Sequence, residues 1–194
     1  YQLIVCDYDF NTGEKLRQRV SYDVTLEATD LAYNPVDGKV YGCFQNEDLL
    51  TYYFGTIDYD RLTTTKIADL PRQLAAIAID ANGKIYAIDK KQEKIGYSLE
   101  TVGADLYTID GSNGEMTFIG DTGQKPLYRT SACIDPQSGR MFWTVSPDDE
   151  CGYLYEVDVK TGATTLVYQF ADDEEVLGLF IPDSGVSAGS PAAI

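Results

Sequence analysis

Two short phrases alternate along this chain, and their repetition constrains its fold more than any single residue does. One reads YDFNTGEKL, YDRLTTTKI, IDGSNGEMT and VDVKTGATT, placing Asp9, Asp60, Asp110 and Asp158 at intervals of 51, 50 and 48 residues. The other reads LAYNPVDGKVYGCF, IAIDANGKIYAID and ACIDPQSGRMFWTV, with Asn34, Asp80 and Asp135 equivalent, and GLFIP begins a further copy. Units of this length cannot bury a hydrophobic face alone and must stack on their neighbours. Each phrase has the pattern of a strand, a tight turn and a second strand. In LYEVDVKTGATTLV, residues 154–167, Leu154, Glu156 and Asp158 alternate with Tyr155 and Val157, which is the period of a half-buried strand. Asp158 is placed to cap the turn and Gly162 to supply the positive φ that lets it close.

Two hairpins in each repeat of about 50 residues make four strands per unit, the pattern of a β-propeller blade. The fold class is therefore all-β, with three complete four-stranded blades and partial blades at the ends. The predicted units are strands c and d of an incomplete blade at 1–20, complete blades at 29–70, 74–121 and 129–170, and one innermost strand at 176–182. Helical periodicity is absent. The propeller is expected to span 1–182, and 183–194, DSGVSAGSPAAI, has the composition of a linker leading out of it. The last strand and the first two could share one blade, but that composite lacks a strand b. An arc of a larger ring is favoured over a closed four-bladed ring, because exposed blade edges are a liability that whole propellers remove by closing.

The segments LAYNPVDGKVYG, IAIDANGKIYAID and ADLYTIDGSNGEMTFIG resemble the propeller repeats of the broad NHL, YVTN and quinoprotein-like group. They resemble most those in surface proteins of anaerobic gut bacteria, over residues 1–182. The resemblance implies an extracytoplasmic setting, at the cell surface or in the periplasm, and adjoining domains in the same polypeptide. Fibronectin type III modules commonly follow such propellers, which the Pro-Ala-rich exit at 190–194 fits. It transfers no catalytic residues. Trp143 is the only tryptophan, so the tryptophan-docking ladder of quinoprotein dehydrogenases is missing and no cofactor is expected.

Composition narrows the function further. With 31 acidic and 15 basic residues the chain carries a net charge of −16, which repels phosphate backbones and argues against nucleic acid as a partner. Histidine is absent, which excludes Ser-His-Asp and Cys-His nucleophiles and histidine-based zinc sites within this chain. No apolar run reaches the roughly 20 residues of a membrane-spanning helix, so membrane insertion is not expected. The opening run YQLIVCDYDF reads as a strand, as in a mature or excised segment. Cys6, Cys43, Cys133 and Cys151 lack CxxC spacing and are expected to be free thiols, with Cys151 the most exposed.

In a propeller the a–b and c–d turns share one face, and the b–c loops and d–a crossovers share the other. The first face is stereotyped here and reads as scaffold. The second carries the irregular stretches QNEDLLT, KKQEKIGYSLETVG and SPDDECG, where binding residues are expected. Aligned crossovers at 27–30, 72–76, 128–131 and 174–177 direct Arg72, Gln73, Tyr128, Arg129, Glu174 and Glu175 toward one mouth, and Tyr97 lies in the longest loop. A guanidinium, an amide, a phenol and carboxylates could grip a polar ligand through directed hydrogen bonds. Tyr33, Tyr41, Tyr86, Tyr107 and Tyr155 recur in strands and are expected to pack between blades. The acidic run at 172–175 lacks the spaced carboxylates of a calcium loop, so no metal is assigned. The leading expectation is a non-enzymatic module that binds a protein or glycan partner through the loop face. The alternatives are a propeller lyase or glycoside hydrolase with carboxylates, Tyr128 and Arg129 at the mouth, and a purely structural spacer.

Overall fold

The structure, a computed structural model, describes residues 3–9, 11–21, 27–46, 51–147, 151–172, 174 and 176–181. A two-stranded sheet opens the chain, β1 (Leu3–Tyr8) with β2 (Lys15–Ser21). Three four-stranded antiparallel sheets follow. The first complete blade holds β3 (Glu27–Tyr33), β4 (Val40–Asn46), β5 (Thr51–Asp58) and β6 (Thr63–Leu70) in sequential order. The second starts with β7 (Leu74–Ile79) and β8 (Ile85–Asp89). It is then interrupted by a separate hairpin, β9 (Lys91–Ile95) with β10 (Ser98–Gly103), before β11 (Asp105–Ile109) and β12 (Met116–Asp121) complete it. The third holds β13 (Ser131–Ile134), β14 (Met141–Val145), β15 (Cys151–Val157) and β16 (Thr164–Asp172). The result is a β-propeller arc of three complete blades preceded by the c and d strands of another, with no closing strand pair among the described residues.

Turn chemistry sets these hairpins. The Asp9 carboxylate accepts the N–H groups of Asn11 and Thr12 at 2.7 and 3.2 Å. Asp158 accepts Lys160 N–H at 2.9 Å, and Asp80 accepts those of Asn82 and Lys84 at 2.9 Å. In the first complete blade the capping residue is Asp58, which accepts the N–H groups of Asp60 and Arg61. The expectation that Asp60 fills this place is corrected, and the capping aspartates stand at intervals of 49, 52 and 48 residues. The glycine four residues after the cap in the other c–d turns is replaced here by Leu62, held at φ 53°, which disguised the register.

Each sheet buries its faces against the next. Tyr41, Cys43 and Phe54 pack on Ile77, Ile85 and Ile109 between the first and second complete blades. Ala76, Ile88 and Leu106 pack on Met141, Trp143, Val145 and Val157 between the second and third. A second rule acts at the rim. Ten residues after each of the first three c–d caps, strand d carries the residue that meets the following blade's c–d turn. This residue is Arg19 in β2, whose Nη1 donates to Tyr59 O at 2.5 Å and Asp60 Oδ1 at 3.1 Å. It is Ala68 in β6, under Gly114, and Gly120 in β12, under Thr161 and Gly162. A β-carbon on Gly162 would sit 2.7 Å from the Gly120 carbonyl oxygen, and one on Gly120 would collide with that of Thr161.

Three other expectations change. Residues 176–181 form no strand: they hold a bend, and Leu179 N–H donates to the Ser131 hydroxyl rather than to a neighbouring strand's backbone. Cys151 is buried rather than exposed, because it opens strand β15 and takes a hydrogen bond from the Gln169 amide at 3.4 Å; none of the four cysteines is in a disulfide. Tyr33 is exposed at the end of β3, whereas Tyr41 and Tyr86 are buried and Tyr107 and Tyr155 half-buried between blades. Residues 182–194, including the expected linker, lie outside the described residues.

The close approach at Gly120 yields a test. Gly120→Ala will lower unfolding stability by ~1–3 kcal/mol, because backbone has to move to admit the methyl group. Gly103→Ala, whose nearest neighbour is the Lys91 side chain at 3.5 Å, will stay within ~0.5 kcal/mol in the same urea titrations.

Candidate functional site

The b–c and d–a connections lie together at one end of the blades, and the most prominent feature there is the inserted hairpin. Its strands pair from Ser98↔Ile95 to Gly103↔Lys91, and Gly96 at φ 65° closes the turn. Tyr97, one of the predicted site residues, stands at the tip and is fully exposed, and Ile95 and Leu99 beside it are about half-exposed. The remaining ladder carries Lys91, Glu93, Lys94 and Glu100.

The root of this hairpin is fixed by charge. Lys91 Nζ donates to Asp105 Oδ1 and Asp121 Oδ2, both at 3.0 Å. Asp89, fully buried, accepts Asp105 N–H at 2.7 Å on one oxygen and Arg72 Nη1 at 2.8 Å on the other. The Arg72 guanidinium also lies 6.0 Å from the centre of the Tyr107 ring. Burial pushes the Asp89 carboxyl above its usual range, against the pull of Asp105 N–H and Arg72. The Asp89 hydrogen bond holds Arg72 more firmly protonated, as the two carboxylates do Lys91. Asp121 is kept low, first by Gly123 N–H and then by Lys91. Buried charges persist only when their lone pairs and protons are matched in this way.

Arg72 therefore points outward over strands b and c of its own blade rather than toward a central mouth. Gln73 bridges to the preceding blade, its amide donating to Gln45 Oε1 at 2.8 Å. Its carbonyl receives Lys90 N–H at 2.9 Å, and Lys90 Nζ donates to Leu127 O at 3.0 Å. Tyr128 follows, half-exposed, with its backbone N–H directed at Ser146 O at 3.4 Å. Gln73, Lys90 and Tyr128 thus share one stretch of the loop face, with Arg129 exposed beside them. Glu174 is exposed at the end of the third blade, where its carboxylate accepts Ala171 N–H at 3.2 Å. Glu175 lies outside the described residues. Tyr97 stands apart from this group at the hairpin tip.

The crossovers do converge on the axis, through a residue that the sequence reading left at the margin. Asp30, Ala76 and Ser131 occupy equivalent positions, four residues before Asn34, Asp80 and Asp135. The Asp30 carboxylate accepts Ile77 N–H at 3.0 Å, Ala132 N–H at 3.3 Å and the Ser131 hydroxyl at 3.3 Å. One side chain thus joins the innermost strands of three blades. Burial outweighs these donors and pushes the Asp30 carboxyl up to about 7. Burial and the nearby Asp30 charge in turn raise the thiols of Cys43 and Cys133.

Asp30, Asp89, Lys91, Asp105 and Asp121 are the residues that the sequence reading missed. Asp30 carried a usable signal, an aspartate inside the strand EATDLAY where the equivalent positions hold Ala76 and Ser131. Asp89 ends and Asp105 opens an apolar strand, in IYAID and ADLYTI. Nothing local shows that they meet.

No family model matches the chain, and no curated protein matches its sequence. Solved structures match its fold. A chain in the nidogen–laminin complex superimposes with a TM-score of 0.62 at 16% identity, over 87% of this chain and 61% of that one. The tricorn protease matches with a TM-score of 0.50 at 13% identity, over 86% of this chain and 20% of that one. The Dos1 propeller matches with a TM-score of 0.45 at 14% identity, over 88% and 43%. This chain therefore spans less than two thirds of the length of each, and identities this low concern architecture alone.

Asp30 yields a pH prediction. Its folded-state pKa of about 7 exceeds the unfolded value of 3.8, so the folded protein holds the extra proton between those values. Its contribution is fully present below about pH 4 and is lost as pH rises to about 7. Relative to Asp30→Asn, the native protein will lose a few kcal/mol of stability, on the order of 4 at most, across that window. Chemical denaturation of both proteins between pH 4 and pH 8 measures this difference, and a difference independent of pH would contradict it.

Proposed function

We propose that this β-propeller module is a non-enzymatic binding module of an extracytoplasmic protein, and that it engages a protein partner through its b–c and d–a loop face. The observation that carries the reading is the hairpin β9–β10. A fully exposed tyrosine tips it, flanked by half-exposed Ile95 and Leu99, and Lys91 is clamped between two carboxylates at its base. Aromatic side chains held on a rigid element bind with little loss of conformational entropy and are frequent hot spots. Neither edge of the two-stranded hairpin pairs with another strand among the described residues, which suits strand addition by a partner.

A projecting ridge of this kind suits a protein surface better than a glycan, which is usually gripped in a concavity. The group Gln73, Tyr128 and Arg129 on the same face extends the contact area. The extracytoplasmic assignment rests on the resemblance of the repeats to bacterial surface proteins. The similar fold in the nidogen–laminin complex occurs within a protein–protein assembly, which agrees with this reading.

A photo-crosslinking amino acid at position 97 identifies the partner, and affinity is then measured with the purified protein. Tyr97→Ala will weaken binding by about 30-fold or more, the effect of removing a hot-spot aromatic, while leaving the unfolding midpoint unchanged. Unchanged affinity in Tyr97→Ala, or retention on a glycan array that is insensitive to the change, would sink the proposal.

A further inference from the structure

The two edges of the hairpin β9–β10 are not equivalent. Strand β9, KQEKI, carries Lys91, Glu93 and Lys94, and charged side chains, lysine above all, guard a strand edge against further pairing. Strand β10, SLETVG, carries a single charge, Glu100, and includes Thr101 and Val102, residues that favour an extended backbone. Its backbone is presented in a definite register. Ile95 and Ser98 flank the two-residue turn at Gly96 and Tyr97 and therefore exchange hydrogen bonds with each other. The antiparallel alternation then turns the N–H and C=O groups of Leu99 and Thr101 away from β9. No other strand takes them up among the described residues, and the bulge between Thr101 and Gly103 ends the open run.

Side chains add a second constraint. The same register sets Glu93 directly opposite Glu100, and like charges in directly opposite positions destabilise a ladder. Both are exposed, and neither has an ion pair among the described residues. Lys91, two residues from Glu93 on that face, is already shared by Asp105 and Asp121, and Lys94 stands opposite Leu99 on the other face. A partner strand laid along β10 sets one of its side chains beside Glu100 and close to Glu93, and the next side chain beside Leu99. The net charge of −16 favours the approach of a cationic segment.

We infer that the partner docks as an extended basic segment that adds a strand to the β10 edge, with an arginine or lysine seated against Glu93 and Glu100 and an adjacent apolar residue against Leu99. This rests on the reading of the hairpin as the binding element and adds to it the mode and the chemistry of the contact. Backbone hydrogen bonds at Leu99 and Thr101 supply affinity, and the alternating side-chain positions supply selectivity. A guanidinium suits two neighbouring carboxylates, because its planar fork has donors for both. The same pair of carboxylates repels an acidic segment, so the edge selects for charge as well as for extended shape. Tyr97, beyond Ser98 at the tip, contacts whatever part of the partner lies past the added strand.

The test pans a phage library of random short peptides against the purified protein at physiological salt, and the most enriched peptide is then synthesised as the probe. Enriched sequences are expected to set arginine or lysine next to a β-branched or aromatic residue. On binding, amide exchange followed by NMR will slow at Leu99 and Thr101. Glu93→Gln combined with Glu100→Gln will weaken binding by about 10-fold or more, the loss of a charge-assisted hydrogen bond. Glu14→Gln combined with Glu115→Gln, which makes the same change in net charge at exposed turn positions, will stay within about 2-fold, since salt screens distant charges. Thr101→Pro removes an N–H that points away from the hairpin, and it will block binding while the unfolding midpoint is kept. Failure to enrich basic peptides, unchanged exchange at Leu99 and Thr101, or equal sensitivity to the two glutamate pairs would overturn the inference. A peptide that loses affinity in Tyr97→Ala but keeps it in the Glu93, Glu100 pair and in Thr101→Pro would overturn strand addition alone and leave the hairpin as the binding element.

Discussion

A four-stranded sheet has two faces and cannot cover either by itself, and this constraint governs the whole molecule. Each blade here is sealed by its neighbours, with aliphatic and aromatic side chains interdigitating between sheets and a small residue at the rim letting one blade's strand pass under the next blade's turn. Burying apolar surface is worth about 25 cal/mol per Å², so a blade without neighbours would forgo most of its stabilisation. The short turns matter because they keep the strands in register for this stacking, their aspartates accepting the turns' own N–H groups.

The polar residues follow from the same arrangement. Where innermost strands turn their open edges toward the axis, backbone N–H groups need acceptors, and Asp30 accepts from two blades besides its own. Where the b–c connection of the second complete blade expands into a hairpin, Asp89, Asp105 and Asp121 hold its root through Arg72 and Lys91. The acidic groups near the axis and the hairpin root are thus occupied in holding the frame, and Tyr97 stands exposed beyond it. This division leaves a braced scaffold with an exposed aromatic hairpin on one face.

Much of this was legible in the sequence. The repeat length and paired turns yielded the three complete blades, their boundaries and the face that carries the irregular loops, because a capped turn is decided within five or six residues. Failures came where two local readings competed. In IDYDRLTTT, Asp58 and Asp60 are both able to cap, and Leu62 in place of glycine removed the cue that would have chosen between them. The stretch KKQEKIGYSLE was seen as irregular rather than as a hairpin, since its charges mask the alternation. Arg72 was assigned to the mouth because crossovers lead there, but a buried carboxylate at the end of the neighbouring strand draws it outward.

The sequence by itself determined the strands, their turns and their grouping in fours, since these depend on side-chain alternation and on hydrogen bonds between near neighbours. Only the tertiary structure decided that Asp30 meets Ile77 and Ala132, which stand 47 and 102 residues further along. It likewise decided that Arg19 reaches the Tyr59 carbonyl of the next blade, 40 residues further along. Both outcomes depend on how one blade is placed and angled against the next, a quantity summed over many side-chain contacts and written in no single stretch of the chain.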